Sequence, residues 1–529
     1  MHICVEGGST HAGSASVPGA AFWRLRIVLQ PTELTEELAV KTNVHETPIQ
    51  QATRGWTCFI HPDVQMEKRG TCPSCGMKLI RTTAANAEPK NGHIGRIVVG
   101  TLVGGLLAAI VLTTLVFAGA REHVITGSAL LAFAAAWGTL ALFSQRWTNQ
   151  PQSWAIVPSA VMGLAGAFIL IVAPTGDELG WVWPPLIVAL AIWLFVRSRR
   201  DLRSRTRVWV VYPVLASLLL SAVGGAYETN REKVDRTALP MAGQLISVGS
   251  HRLHLDCRGS GSPSVVLEAG LGEGSSMMSG WIAPDVATTT RVCVYDRAGR
   301  GWSEAASGPQ DGTHVAEDLR TLLQRAGEPG PYVLAGHSAG ALYVLNFARL
   351  YPEQVAGVVL LDATSPFQYS RLASYPAFYG MFRRASALLP SLSRLGIGRL
   401  FYGSQYASLP FTARDEERAF WSTARHNRSL RDEFAELPTA MQQAQFLTSL
   451  GSRPLVVLTA GAGAEKGWMA LQDDLARLST NSVHRLLAAA THAMLTEEKG
   501  AAAQSGKAIS DVVTSVRSGA RVARDSNTL

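Results

Sequence analysis

Five long apolar runs follow one another along the first half of the chain: Ile97–Ala120, Val124–Ser144, Trp154–Ala173, Leu179–Val196 and Val208–Tyr227. Each approaches the roughly 20 residues a helix needs to cross a bilayer. Tryptophans 147, 154, 181, 183 and 209 stand near several of the ends, as an interfacial aromatic belt requires. No run carries an acidic or basic residue in its middle, which argues against an ion or proton path and so against a transporter. Pro184, Pro185 and Pro213 predict kinks and no more. The pattern therefore predicts a membrane domain of about five transmembrane helices over residues 97–227. A charged stretch, Glu228–Asp235, is expected to be a linker. Beyond it, short β-rich runs alternate with helical stretches, at Ser264–Leu267, Arg291–Tyr295, Tyr332–Ala335, Val358–Leu361 and Leu455–Leu458. That alternation predicts a mostly parallel sheet covered on both faces. Residues 366–450 break the rhythm and read as a helical insertion. Residues 1–55 show no sustained periodicity and are expected to form a weakly structured tail.

Composition agrees with the membrane reading. Of 529 residues, 47% are hydrophobic and 17% charged, where soluble domains carry about 25% charged residues. The mean hydropathy is +0.13. The net charge of +8 matters through its distribution. Six arginines (197, 199, 200, 203, 205 and 207) lie between the fourth and fifth runs, whereas the preceding loop holds Asp177 and Glu178. The positive-inside rule puts the arginine loop in the cytoplasm. Counting back places the N-terminus there too, flanked by Lys78, Arg81, Lys90 and Arg96. Counting forward places everything after Tyr227 outside. The basic stretch is thus a topology signal and predicts no nucleic-acid partner. The N-terminus lacks the features of a signal peptide.

Gly336-His337-Ser338-Ala339-Gly340 fits G-x-S-x-G, which is weak evidence in a glycine-rich chain. Its setting strengthens it: Pro331–Ala335 reads as a buried strand and Ala341–Leu350 as a helix, the frame of a nucleophile elbow. Such a turn exposes the Ser338 hydroxyl and frees the Ala339 N–H for an oxyanion. A serine hydroxyl needs an adjacent base. His492 follows a strand at Val483–Leu487 and precedes a helix with Ile509, Val512, Val513 and Val516 on one face, and it is the expected base. His314 and His484 read as ordinary histidines. The loop after Val265–Leu267 offers the Leu271 N–H as second oxyanion donor.

With the segment Tyr295-Asp296-Arg297-Ala298-Gly299-Arg300-Gly301-Trp302-Ser303, residues 240–517 resemble the α/β-hydrolase superfamily. The resemblance implies an α/β-hydrolase fold, a mostly parallel eight-stranded sheet, with the helical cap at 366–450. It further implies acyl transfer to water, with no cofactor, on a small substrate of the carboxylic ester kind. Serine stands where dehalogenase and epoxide hydrolase members carry aspartate. Many members have His-Gly before the oxyanion loop; here Glu268-Ala269-Gly270 stands, so the loop's polar support is expected to differ. The acid is open between two positions. Asp362, after the sixth strand, is preferred; Glu465, after the seventh, is the alternative, and Asp296 reads as a loop brace. Cys257 and Cys293 would lie on neighbouring strands, either as a disulfide or as two small buried side chains.

Cys58-x2-His61, ten residues, then Cys72-x2-Cys75 supplies three thiolates and an imidazole, a tetrahedral set for zinc or another soft heavy-metal ion. Residues 56–80 resemble the heavy-metal-binding domain of copper-transporting ATPases and efflux adaptors. Phe59 and Ile60 replace a Pro-Met pair of that pattern, and Met77 is retained. A redox dithiol at Cys72 and Cys75 is the other reading. The chain is therefore expected to be an integral membrane serine hydrolase with a cytoplasmic metal module and an extracytoplasmic hydrolase domain. The rival is a metal-responsive membrane sensor whose hydrolase-fold domain binds without turnover.

Overall fold

Hydrophobic residues gather around several separate centres along the chain. The computed structural model describes residues 55–58, 61, 63–81, 93–174, 179–201 and 211–523. Nearly all of the expected tail, Lys90, the acidic pair Asp177 and Glu178, and Arg203, Arg205 and Arg207 lie outside the described residues. The chain divides into two compact units, Met1–Ala87 and Glu88–Leu529.

In the first unit, strands β1 (Trp56–Thr57), β2 (Gln65–Met66) and β3 (Ile80–Arg81) form an antiparallel sheet in the order β2-β1-β3. Its small core is Cys58, Cys72 and Leu79. The Cys72 N–H donates to Met77 O (2.7 Å) and the Gly76 N–H to Cys72 O (2.8 Å). Gly76 takes φ +71°, a conformation that favours glycine.

The second unit begins with helices. Among the described residues four, spanning Ile94–Val116, Glu122–Trp147, Ser153–Val172 and Gly180–Arg200, are long and apolar enough to cross a membrane. The fifth expected run starts on residues outside those described. Its remainder opens a helix over Tyr212–Ala238, so the expected linker Glu228–Asp235 is helical instead. The reason is charge spacing: Arg231 pairs with Asp235 and Glu232 with Arg236 across one turn, and Glu228 is buried against Arg399.

The hydrolase-type sheet follows. Its strands are β4 (Gln244–Ser247), β5 (Arg252–Arg258), β6 (Val265–Glu268), β7 (Val292–Tyr295), β8 (Tyr332–His337), β9 (Val355–Leu361), β10 (Leu455–Ala460) and β11 (Ser482–Leu487). They lie in the order β11-β10-β9-β8-β6-β7-β5-β4, and all pairings from β7 to β11 are parallel. Strand residues alternate between two cores. Val266, Leu334, Val358 and Val457 join Leu342, Phe347 and Leu322 on one face. Val265, Val333, Val359 and Val456 join Ile282, Ile509, Val512 and Val513 on the other. Gly357 lets the last helix come close, since a Cβ there would lie 2.5 Å from Val512 Cγ1. Cys257 and Cys293, paired across β5 and β7, form a disulfide (S–S 2.05 Å). Between β9 and β10 the helical insertion runs from Gln368 to Ala444.

Candidate active site

Strand β8 is buried at every position and ends in a sharp turn into the helix Gly340–Leu350. Ser338 sits in that turn at φ +52°, outside the regions its residue type favours. Both flanking glycines are sterically required. A Cβ on Gly336 would lie 2.7 Å from the Ala341 nitrogen, and one on Gly340 2.5 Å from Glu268 O. The elbow therefore packs against the loop that carries Leu271. The Ser338 N–H donates to Leu361 O (3.0 Å), and the Thr364 N–H donates back to Ser338 O (2.9 Å), tying the serine to the end of β9.

That strand end holds Asp362, buried, at φ +41°. Its Oδ1 accepts from the Ala460 N–H (3.2 Å) and the Trp468 indole N–H (2.8 Å). Its Oδ2 lies 2.6 Å from His492 Nδ1. Two donors thus fix the carboxylate and turn its other oxygen to the imidazole. Of the two candidate acids, only Asp362 meets the histidine. Glu465 instead accepts a hydrogen bond from the Ser374 hydroxyl. His314 and His484 pair with Asp311 and Asp473 at a distance from this cluster. Asp296 does brace loops: it accepts from Ser275 N–H (2.6 Å) and Trp302 N–H (3.0 Å) and pairs with His254 (2.9 Å). Against the cost of burial, His254 and those N–H groups hold its carboxyl down to about 2.

The loop after β6 is held by side chains far away in sequence. Arg297 donates to Ala269 O (2.7 Å), Gly270 O (2.6 Å) and Glu268 Oε1 (2.6 Å), and Tyr295 OH donates to Glu268. The Gly270 N–H donates to Glu273 (2.6 Å), the Gly272 N–H to Glu433 (3.2 Å) and the Gly274 N–H to Glu417 (3.1 Å). Leu271 lies between these anchored glycines. Glu417 and Glu433 belong to cap helices Phe411–Ser422 and Ala424–Ala444, so the cap grips the loop directly. Burial, with Glu273 and Asp296 nearby, pushes Glu417 up to about 8.

One pair escaped the sequence reading. His337, the variable residue before the serine, is fully buried with Nδ1 3.1 Å from Glu273 and Nε2 3.4 Å from His492 O. Its ring lies 4.7 Å from that of His492. Against burial, each partner favours the other's charge: Glu273 raises the His337 imidazole, and His337 lowers the Glu273 carboxyl. The signal available was a histidine inside the elbow, with no carboxylate adjacent in sequence to pair it.

In the first unit, Cys58, His61, Cys72 and Cys75 offer ligand atoms within 4.8 Å of one another. Cys58 Sγ lies 3.5 Å from Cys75 Sγ and 3.9 Å from His61 Nδ1, which is 3.8 Å from Cys72 Sγ. Edges of roughly 3.6–3.8 Å follow from tetrahedral zinc with Zn–S near 2.3 Å and Zn–N near 2.05 Å, so the donor set fits.

An elbow serine tied by its backbone to the strand end whose carboxylate pairs with a histidine, on this sheet and with a helical cap, is the arrangement of an α/β-hydrolase domain. Residues 263–462 match the family described as alpha/beta hydrolase fold, and residues 56–82 match the heavy metal binding domain. The chain therefore carries both domains. An uncharacterized protein of Schizosaccharomyces pombe is 29% identical over 298 residues, 50% of this chain and 54% of its own length. A Pseudomonas savastanoi protein named provisionally as the carbamate hydrolase RutD is 41% identical over 120 residues, 22% of this chain and 44% of its own. The chain thus spans about half the length of the curated relatives it matches. A thermophilic esterase from Thermogutta terrifontis superposes with TM-score 0.41 at 21% identity, covering 52% of this chain and 99% of the esterase.

Proposed function

We propose that this chain is a membrane-anchored serine hydrolase that cleaves an ester-type acyl bond through an acyl-enzyme. The observation that carries it is the 2.6 Å contact between His492 Nδ1 and Asp362 Oδ2 beside the strained elbow at Ser338. In this reading the Ser338 hydroxyl attacks the carbonyl carbon while its proton passes to His492 Nε2. The negative oxygen of the tetrahedral intermediate accepts from the Leu271 and Ala339 N–H groups. Collapse expels the alcohol, which takes the proton from His492. Water, deprotonated by His492, then attacks the acyl-enzyme and releases the acid and Ser338. Asp362 keeps the imidazole in the required tautomer and stabilises its cation. The hydrolase name of the Pseudomonas relative supports hydrolysis as the reaction class.

The four long apolar helices support the anchor. The Cys257–Cys293 disulfide supports an extracytoplasmic hydrolase domain, since such bonds persist in oxidising compartments. In the first unit Cys58, His61, Cys72 and Cys75 would hold one soft ion such as zinc, which when bound pins the small fold together. Purified protein should carry about one metal ion per chain, lost in Cys72→Ser with Cys75→Ser, as read by elemental analysis.

The test is fluorophosphonate labelling of detergent-solubilised protein, wild type beside Ser338→Ala, Asp362→Asn and Glu465→Gln. Labelling should vanish in Ser338→Ala, fall steeply in Asp362→Asn and persist in Glu465→Gln. Folded wild type that neither labels nor turns over short-chain esters would leave the metal-responsive sensor, which the Cys/His cluster favours, as the better reading.

A further inference from the structure

The cap is built against the membrane helices. Glu122, at the start of the second long helix, accepts from Arg394 and from Arg428 Nε (3.0 Å). Arg399 bridges Glu228 (2.6 Å) and Asp235 (2.7 Å) on the helix Tyr212–Ala238. Thr126 and Ser391 hydroxyls meet at 3.0 Å. Backbones touch as well: a Cβ on Gly224 would lie 2.2 Å from Leu395 O. Gly119, just past the first long helix, lies against the Arg383 side chain. The cap segment around residues 383–399 therefore sits at the ends of the apolar helices, where a bilayer's polar surface begins. Glu228 is buried in its pair with Arg399, so breaking that pair is costly and the seating is specific.

The same segment has the surface of a membrane-binding element. Ten large apolar side chains are exposed among the described residues from 240 to 523, and eight of them fall between 367 and 411. Leu400 is 82% exposed, Phe411 71%, Phe401 67% and Met381 64%. The stretch 367–411 holds no carboxylate, and three of its five arginines pair with carboxylates outside it: Arg371 with Asp474, Arg394 with Glu122 and Arg399 with Glu228. Exposed apolar residues with no acid among them suit the boundary between headgroups and acyl chains. Elsewhere among the described residues of the domain such exposure is limited to Phe446 and Leu486, so the concentration here calls for an occupant. Continuity with the apolar helices identifies it as the lipid bilayer.

This segment also borders the catalytic cluster. It starts five residues after Asp362, just past Thr364, whose N–H holds Ser338 O. Its far end, Ser408, accepts a hydrogen bond from Trp281 (3.0 Å), and Leu409 packs with Met277 in the helix behind the oxyanion loop. Resting on the serine-hydrolase reading above, we infer that cap residues 367–411 lie in the surface of the same bilayer that holds the helices. The substrate is accordingly an acyl ester dissolved in that bilayer, delivered to Ser338 from the lipid side.

The experiment uses the full chain in lipid nanodiscs containing phosphatidylcholine with a photoactivatable diazirine in its acyl chain. Mass-spectrometric mapping should find adducts in peptides from 375 to 402 as well as in the long helices. Adducts confined to the long helices would overturn the inference. The triple variant Met381→Ser, Leu400→Ser, Phe401→Ser changes exposed positions only. It should lose about tenfold in turnover of a long-chain ester carried in vesicles. Its turnover of a soluble short-chain ester and its fluorophosphonate labelling should stay at the wild-type level. Equal turnover of the vesicle ester by variant and wild type would also overturn the inference, while leaving the hydrolase reading intact. A wild type without fluorophosphonate labelling would sink both, whatever the lipid adducts show.

Discussion

The sheet and the long helices are built from the same kinds of apolar side chain but face opposite surroundings. Phe347 and Val512 are completely buried between sheet and helix, whereas Leu164 is 74% and Ile171 82% exposed. In the sheet domain the sequence supplies its own cover, through helices whose apolar faces match the strands. In the long helices backbone hydrogen bonds close internally, and the apolar surface is left exposed, compatible with an apolar solvent such as a bilayer. The cap stands between these regimes, gripping the loop after β6 with Glu417 and Glu433 on one side and the helix ends through Arg394 and Arg399 on the other.

The contrast can be broken at several points. The largest effect belongs to the chemistry of the sheet domain. Asp362→Asn should lower kcat by on the order of 10⁴ while leaving the fold intact, because the histidine loses its orienting acceptor. Glu465→Gln should change kcat less than about twofold, since its partner is Ser374. Esterase kinetics on both variants decide between the carboxylates.

Packing comes next. Phe347→Ala should cost about 3–5 kcal/mol by opening a cavity in the sheet's core. Leu164→Ala, at an exposed position, should cost less than about 1 kcal/mol. Proteolysis of detergent-solubilised protein across a denaturant series reads both values. Similar costs at the two sites would mean that Leu164 is covered by protein.

Removing the disulfide by Cys257→Ser with Cys293→Ser should cost about 2–4 kcal/mol in the hydrolase domain. Metal content of the first unit should not change, because the two units have separate cores.

The smallest effect concerns pH. Glu273 is lowered and His337 raised by their mutual pairing. The Glu273 contribution is present above about pH 4.5 and lost as pH falls through its lower folded value. The His337 contribution is present below about pH 6.5 and lost as pH rises through its higher folded value. The stability gap between wild type and Glu273→Gln should therefore be widest between about pH 4.5 and 6.5 and narrow on either side. A gap that is flat with pH would deny the pair its charge.

Much of this was legible in local pattern. The sheet strands follow their apolar runs, and the elbow glycines and His492 stand at fixed offsets from predicted strands and helices. The support of the loop after β6 was hidden because its donors and acceptors meet only after folding. Glu417 and Glu433 lie more than 140 residues from the glycines they hold. Glu228–Asp235 looked like a linker because charges usually mark solvated chain. Charge pairs spaced by one helical turn, and a buried contact to Arg399, make it helix. The exposed apolar stretch of the cap was hidden for a related reason: a short apolar run reads the same whether it is buried or exposed.

The most direct test of the account is to digest fluorophosphonate-treated full-length protein and map the adduct by mass spectrometry. A single phosphonylated site at Ser338, abolished by prior heat denaturation, is the predicted result. An adduct at another residue, or none on folded protein, would contradict the claim that this elbow, with His492 and Asp362, is a working hydrolase site.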